Sequence, residues 1–237
     1  MTFAPMAKPP EMLLIADRAV PLAVRRSARA RRITLRIDDT SGSVVLTLPR
    51  RVALAEGLAF VEEKRRWIER RLNSLPPRVP FEAGAVIPVL GRERNVIWTP
   101  GRPRAVRLDE AAIRVGGERG LLAQRLEAWF KRYAREEIGS RVGVMRGRIG
   151  AGAGRLAIRD TRSRWGSASA DGNLNFSWRL VMAPDWVLDY VVAHEVAHLK
   201  HMNHGPRFWA LVAKLVGDPD PARCWLRTHG SGLHRYG

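Results

Sequence analysis

The residues able to do chemistry are concentrated in HEVAHLKHMNH, residues 194–204. His194 and His198 stand four apart, and four residues advance a helix by about 400° of rotation and roughly 6 Å of rise. Both imidazoles therefore leave one helix face, one turn apart, where two neutral nitrogens can share a single Zn²⁺. Glu195 sits one step round from His194 and flanks that face. A carboxylate there can hold a water at the metal instead of ligating it. His204 follows His198 by six residues, too far along a straight helix to reach the same ion, so the helix must end and the chain turn back.

A catalytic zinc site needs a third protein ligand and an open fourth position. No glutamate occurs after Glu195, and the only later carboxylates are Asp218 and Asp220. His204 is the economical third ligand, with Asp218 in reserve. The bland alternative, histidines on a solvent-exposed helix, fits the surroundings poorly. Pro184 and Asp185 suit the first helical positions, a fixed φ and a negative charge at the positive end of the dipole. Leu188, Val192, Val196 and Leu199 then recur at helical spacing. Lys200 and His201 suit a last turn, Asn203 can leave the helix, and Gly205-Pro206 opens another. Tyr190, His201, His229 and Tyr236 remain open as donors to an oxyanion, and Asp189 or Asp218 as partners of the histidines.

The stretch RSRWGSASADGNLNFSWRLVMAPDWVLDYVVAHEVAHLKHMNHGPRFW, residues 162–209, resembles the signature of the YgjP-like metallopeptidases, relatives of the SprT/WLM zincin-like proteins. That pattern runs R-W-G-S-C-S, a strand ending in leucine, a proline-started helix with H-E-x-x-H, then N-H-x-x-x-F-W. The resemblance implies zinc ligands at His194, His198 and His204, a catalytic carboxylate at Glu195, and peptide or protein substrates. Its motif cysteine is Ala168 here, which argues against a required thiol and leaves Trp165-Gly166-Ser167 a structural role. His201 stands where metzincins carry glycine, so that family's turn is not expected. The resemblance extends weakly from about Arg25 onward.

Around this stretch the chain alternates short strands and helices. Val24, then Ile33, Leu35 and Ile37, turn through 38–42 into Val44–Leu48, which Pro49 stops. Leu58, Val61, Trp67, Ile68 and Leu72 give one helix that ends near Asn73-Ser74, with Phe60 and Trp67 as core anchors. Short strands follow at 86–91, 95–98 and 112–115. A long helix is expected from Glu118 to Arg146, then a glycine-rich break. Residues 156–159 should be a strand, and Leu174, Phe176 and Trp178 alternate with polar residues as a half-buried one. In zincins an edge strand near the metal pairs with extended peptide; which strand would do so here stays open. Phe208, Leu211, Val212 and Leu215 suggest a short helix capped by Gly217. The expected fold class is α+β: a lead-in over 1–20, partly disordered, a β-rich subdomain with one helix over 21–117, and a zincin-like catalytic subdomain over 118–237, with 21–237 one family unit.

Composition bounds the rest. An apolar content of 46 % in 237 residues suits a globular chain with a sizeable core. A single cysteine, Cys224, excludes an internal disulfide and fits a reducing compartment. The N-terminus makes a poor signal peptide and no stretch reaches the length of a membrane span, so a cytoplasmic location and no membrane partner are expected. The net charge is +18, with 36 arginines against 5 lysines. Codon usage can explain arginine over lysine but not the excess over acids, so weak, non-specific nucleic-acid binding is expected, with Arg25–Arg32 as its first candidate surface. The leading reading is a zinc metalloendopeptidase-like hydrolase that attacks peptide bonds with zinc-bound water and a glutamate base. The alternative is a non-catalytic, nucleic-acid-associated module whose structural zinc is closed by Cys224. Cleavage preference and oligomeric state are not legible.

Overall fold

Alternation of apolar and polar side chains sets the first elements. The computed structural model describes residues 12–38, 41–75, 77–101, 105–161 and 163–237. It divides into two compact units, Met1–Pro77 and Arg78–Gly237. In the first, β1 (Met12–Ile15), β2 (Arg18–Ser27), β3 (Thr34–Ile37) and β4 (Val44–Pro49) form a sheet in the order β1-β2-β4-β3. The expected hairpin is β3 against β4, antiparallel with Leu35 opposite Leu46. Residues 39 and 40 of its turn, like 1–11 of the lead-in, lie outside the described residues. β1, by contrast, is an ordered strand within the stretch read as lead-in.

The single helix expected next is two, α1 (Leu54–Glu63) and α2 (Arg65–Asn73), divided at Lys64 (φ −92°, ψ 7°). Val61 and Ile68 stay buried across the break, packed with Leu46, Leu48 and Val44. Trp67 does not join them; it is 40 % exposed. Arg26 is spent on architecture, its Nη1 donating to the carbonyls of Arg50 and Val52 at 3.1 and 2.8 Å.

The second unit starts with β5 (Val86–Val89), β6 (Arg92–Thr99), β7 (Val106–Leu108) and β8 (Ala112–Gly116), ordered β5-β6-β8-β7. Ile87, Val96, Ile113 and Val115 share one core with Phe130, Trp178 and Val192. These strands therefore pack with the histidine-bearing half, and the compact units divide at 77/78. The long helix is α3 (Leu122–Ile149), which buries Leu122, Leu126, Phe130, Ala134, Ile138 and Val142 at four-residue spacing and ends on a left-handed Gly150 (φ 58°). A three-stranded sheet follows: β9 (Leu156–Arg159), β10 (Gly166–Ala168) and β11 (Leu174–Ser177), ordered β10-β11-β9. Three helices close the chain, α4 (Asp185–Ala197), α5 (Pro206–Val216) and α6 (Asp220–His229).

α4 is apolar almost all round, and its Val187, Leu188, Val191, Val192, Val196 and Ala197 are all buried, as expected of a helix inside a core. Its start is fixed from two sides. Gly91 packs against Pro184 so closely that a Cβ would lie 2.8 Å from the Pro184 Cα, and Leu90 donates to the Val181 carbonyl at 2.7 Å. On the outer flank Arg141 of α3 donates to Asp189 at 2.7 Å and pairs with Asp185.

The C-terminal turn, Gly230–Arg235, is held against the approach to β10. The buried Arg179 guanidinium donates to Asp160 at 2.8 Å and to the carbonyls of Leu233 and Tyr236 at 3.2 and 2.6 Å, while Trp165 stacks on His234 with centroids 5.0 Å apart. Burial alone would raise the Asp160 carboxyl, but the hydrogen bond and charge of Arg179 outweigh it and hold it below the ordinary value of 3.8. A depressed carboxyl stabilises the fold above its unfolded pKa, and this contribution is lost as pH falls through the folded one. Asp160→Asn should therefore cost about 1–2 kcal/mol near neutrality, a charged hydrogen bond discounted for a partly exposed acid. Thermal melts should show the gap to wild type closing below about pH 4, near the reference carboxyl value; a constant gap down to pH 3 would refute the assignment.

Candidate metal centre and its carboxylate

The geometry of the centre depends on where α4 stops. The sequence suggests a last turn through His201, but the helix ends at Ala197 with His198 as its cap, still in helical geometry (φ −61°, ψ −21°). The amides of Leu199 and Lys200 then bond three residues back, to the Val196 and Ala197 carbonyls, at 3.0 and 3.1 Å. This tightening turns the chain and returns His204 to the helix. Its Nε2 lies 3.1 Å from the His194 Nε2, and its ring centroid is 5.0 and 4.7 Å from those of His194 and His198.

One ligand atom from each of His194, His198 and His204 falls within 4.8 Å of the others, and among the described residues this is the sole such cluster. Two nitrogens held 2.0–2.1 Å from a tetrahedral zinc lie about 3.3 Å apart, so the 3.1 Å separation suits a common cation. The other ring nitrogens are engaged: His198 Nδ1 donates to the His201 carbonyl at 3.1 Å, and Tyr190 Oη lies 3.4 Å from His194 Nδ1. That leaves Nε2 of both rings for a metal, the usual arrangement of ligating histidines. Burial first, then the neighbouring His198, His204 and Arg223, pushes His194 down to about 4. Burial likewise lowers His198, against its bond to His201. Both are neutral at pH 7, the form that ligates.

Beneath the three rings lies Phe208, fully buried in the first turn of α5, with centroids 4.9, 4.6 and 4.7 Å from His194, His198 and His204. Trp209 flanks the group 5.8 Å from His194 and 5.9 Å from His204. The sequence assigned Phe208 only to a helix stripe. It floors the donor set, and an aromatic four residues after a histidine was the signal.

Glu195 is 7 % exposed. Burial raises its carboxyl to about 7, against the pull of Arg164, and a dication on the adjacent histidines would lower it again. Directly over it runs β10. A Cβ on Gly166 would lie 2.5 Å from the Glu195 Cγ and 2.7 Å from its Oε1, so this strand can cross the carboxylate only where residue 166 has no side chain. A three-residue strand without alternation leaves no periodic trace, which is why Trp165-Gly166-Ser167 read only as a structural stretch.

Other sequence candidates lie elsewhere. Asp189 pairs with Arg141, the Asp218 carboxylate accepts from the Asp220 amide at 3.0 Å, and His229 stacks on Trp225 at 5.1 Å. The exposed Cys224 is not a member of the histidine cluster.

The jannalysin metallopeptidase zymogen of Methanocaldococcus jannaschii is similar at 18 % identity and a TM-score of 0.35, over 38 % of this chain and 94 % of its own. No curated protein matches the chain. The family model described as "YgjP-like, metallopeptidase domain" matches residues 31–229. With that span far exceeding half its length, the chain belongs to the YgjP-like metallopeptidase family.

Proposed function

We propose that the chain is a zinc-dependent peptidase of zincin-like design, in which His194, His198 and His204 hold the ion and Glu195 is the general base. The observation that carries this is three imidazoles converging within 4.8 Å beside a buried carboxylate. When bound, zinc supplies Lewis acidity, polarising a carbonyl and making water at the site easier to deprotonate. Glu195 takes the proton from that water as it attacks the peptide carbonyl, then delivers it to the departing amine nitrogen. Gly166 keeps β10 tight over the carboxylate and limits the directions in which it can move.

β10 also bears on how substrate is held. It ends the sheet order β10-β11-β9, pairs antiparallel with β11, and passes over Glu195. An extended peptide added to its free edge would place a scissile bond beside the base. Of the two strands the sequence left open, the one through Leu174 and Phe176 is the central β11 and the one over 156–159 is β9, the edge opposite β10.

The test is digestion of a denatured protein mixture and a peptide library by the metal-loaded chain, with and without a zinc chelator. Internal cleavages abolished by the chelator and restored by zinc are expected; an inert loaded chain would sink the reading. Gly166→Ala should cut the rate about 10²-fold, the usual penalty for a misplaced catalytic group, while zinc content stays at wild type. An unchanged rate would mean the close crossing of β10 is incidental.

The structural-zinc alternative requires a closed, four-ligand site. Among the described residues the cluster has three members, and Cys224 is not one of them. The sequence properties that favour a cytoplasmic location stand beside the finding that no helix among the described residues is long and apolar enough to cross a membrane.

A further inference from the structure

The first unit holds an open groove of about 830 Å³ between β3 and the junction of α1 with α2. Its apolar surface is Ile33, Leu35, Phe60 and Trp67, and its lining also carries Arg32, Arg66 and Arg70. No ion pair engages these three guanidinium groups among the described residues, and all three arginines are exposed. The groove's one acid, Glu63, is already paired with Lys64 at 2.6 Å, and Lys64 lies over the Phe60 ring. Trp67 is 40 % exposed, although its neighbour Ile68 is completely buried. The indole therefore stands open beside exposed cations, where a flat partner can reach both.

We propose that this groove binds single-stranded nucleic acid. Guanidinium forks match phosphate oxygens in pairs, which a carboxylate-bearing surface would oppose. The exposed indole in the same groove offers a stacking platform for a base, so ring and cations together can take both the base and the phosphate of a strand. A duplex keeps its base faces stacked internally and could use only the arginines. The groove differs from the run Arg25–Arg32 read from sequence. Of that run only Arg32 lines it, and Arg26 is occupied by backbone carbonyls.

The experiment is fluorescence anisotropy of labelled oligo(dT) with the full, metal-loaded chain across a salt series. Trp67→Ala should weaken binding about tenfold, as loss of one stacked base does, and Trp67→Phe should recover most of it. The pair Arg66→Gln and Arg70→Gln should reduce the slope of log affinity against log salt by about 1.4, at about 0.7 per phosphate on a single strand. Zinc content should be wild type in each. Should Trp67→Ala fail to fold, Trp67→Phe and the arginine pair carry the test. Binding unaffected by these changes, duplex DNA bound more tightly than single strand, or oligo(dT) displaced equally well by poly-glutamate would each overturn the proposal, the last pointing to an acidic polypeptide instead.

Discussion

Glu195→Gln should bind zinc with wild-type stoichiometry, melt as wild type does, and hydrolyse peptides at least ~10²-fold more slowly, the lower end of what a general base is worth. The carboxamide has almost the shape of the carboxylate, so it fits beneath Gly166, where a Cβ would already be only 2.5 Å from the side chain. It cannot accept the proton that attacking water must lose. Because the substitution changes neither ligands nor packing, the loss should appear in kcat with little change in KM. Zinc analysis and steady-state kinetics on one preparation decide the matter. Full activity would move the base elsewhere, and loss of zinc would make Glu195 a ligand or a structural prop.

What was legible in the sequence was what has a period or a fixed spacing. The four-residue separation of His194 and His198 specifies one helix face whatever the surroundings. The alternation through Leu35 and Leu46 was enough to set β3 against β4. The stripe of α3 likewise survives as a buried row from Leu122 to Val142. Non-periodic features were opaque. β10 has three residues and owes its position to β11 and Glu195, so neither propensity nor pattern marks it. The division of the chain at 77/78 depends on β5 to β8 sharing a core with α3 and α4, a preference among distant partners that local sequence does not carry. Trp67 illustrates the same limit from the other side. Sequence spacing placed it with Ile68 and Leu72, but it stands one residue, about 100° of helix rotation, before Ile68, so burying Ile68 leaves the indole facing the groove.

The metal centre itself combines both kinds of information. Helix spacing brings His194 and His198 together, whereas His204 arrives only because the chain tightens after Ala197 and turns back over Phe208. From sequence the third place could go to His204 or to Asp218; in the structure the Asp218 carboxylate accepts from the Asp220 amide, and His204 lies 3.1 Å from His194.

His194→Ala, His198→Ala and His204→Ala should each lose most bound zinc, while Asp218→Ala and Cys224→Ser keep about one ion per chain, as expected for a three-histidine site. His204 is exposed and on a turn, so its removal should barely affect the metal-free fold, and a stability gain on adding zinc should vanish with it. That gain follows RT ln(1 + [Zn]/Kd), about 2.7 kcal/mol at a hundredfold excess over Kd. Phe208→Ala makes a useful contrast: emptying the floor beneath the rings should cost about 3–5 kcal/mol in the metal-free protein, as large-to-small core changes do, and weaken zinc by letting the imidazoles drift. Calorimetric melts with and without zinc separate the two effects, since His204→Ala removes the metal-dependent shift and Phe208→Ala lowers the baseline. Zinc retained in His204→Ala but lost in Asp218→Ala would reassign the third ligand.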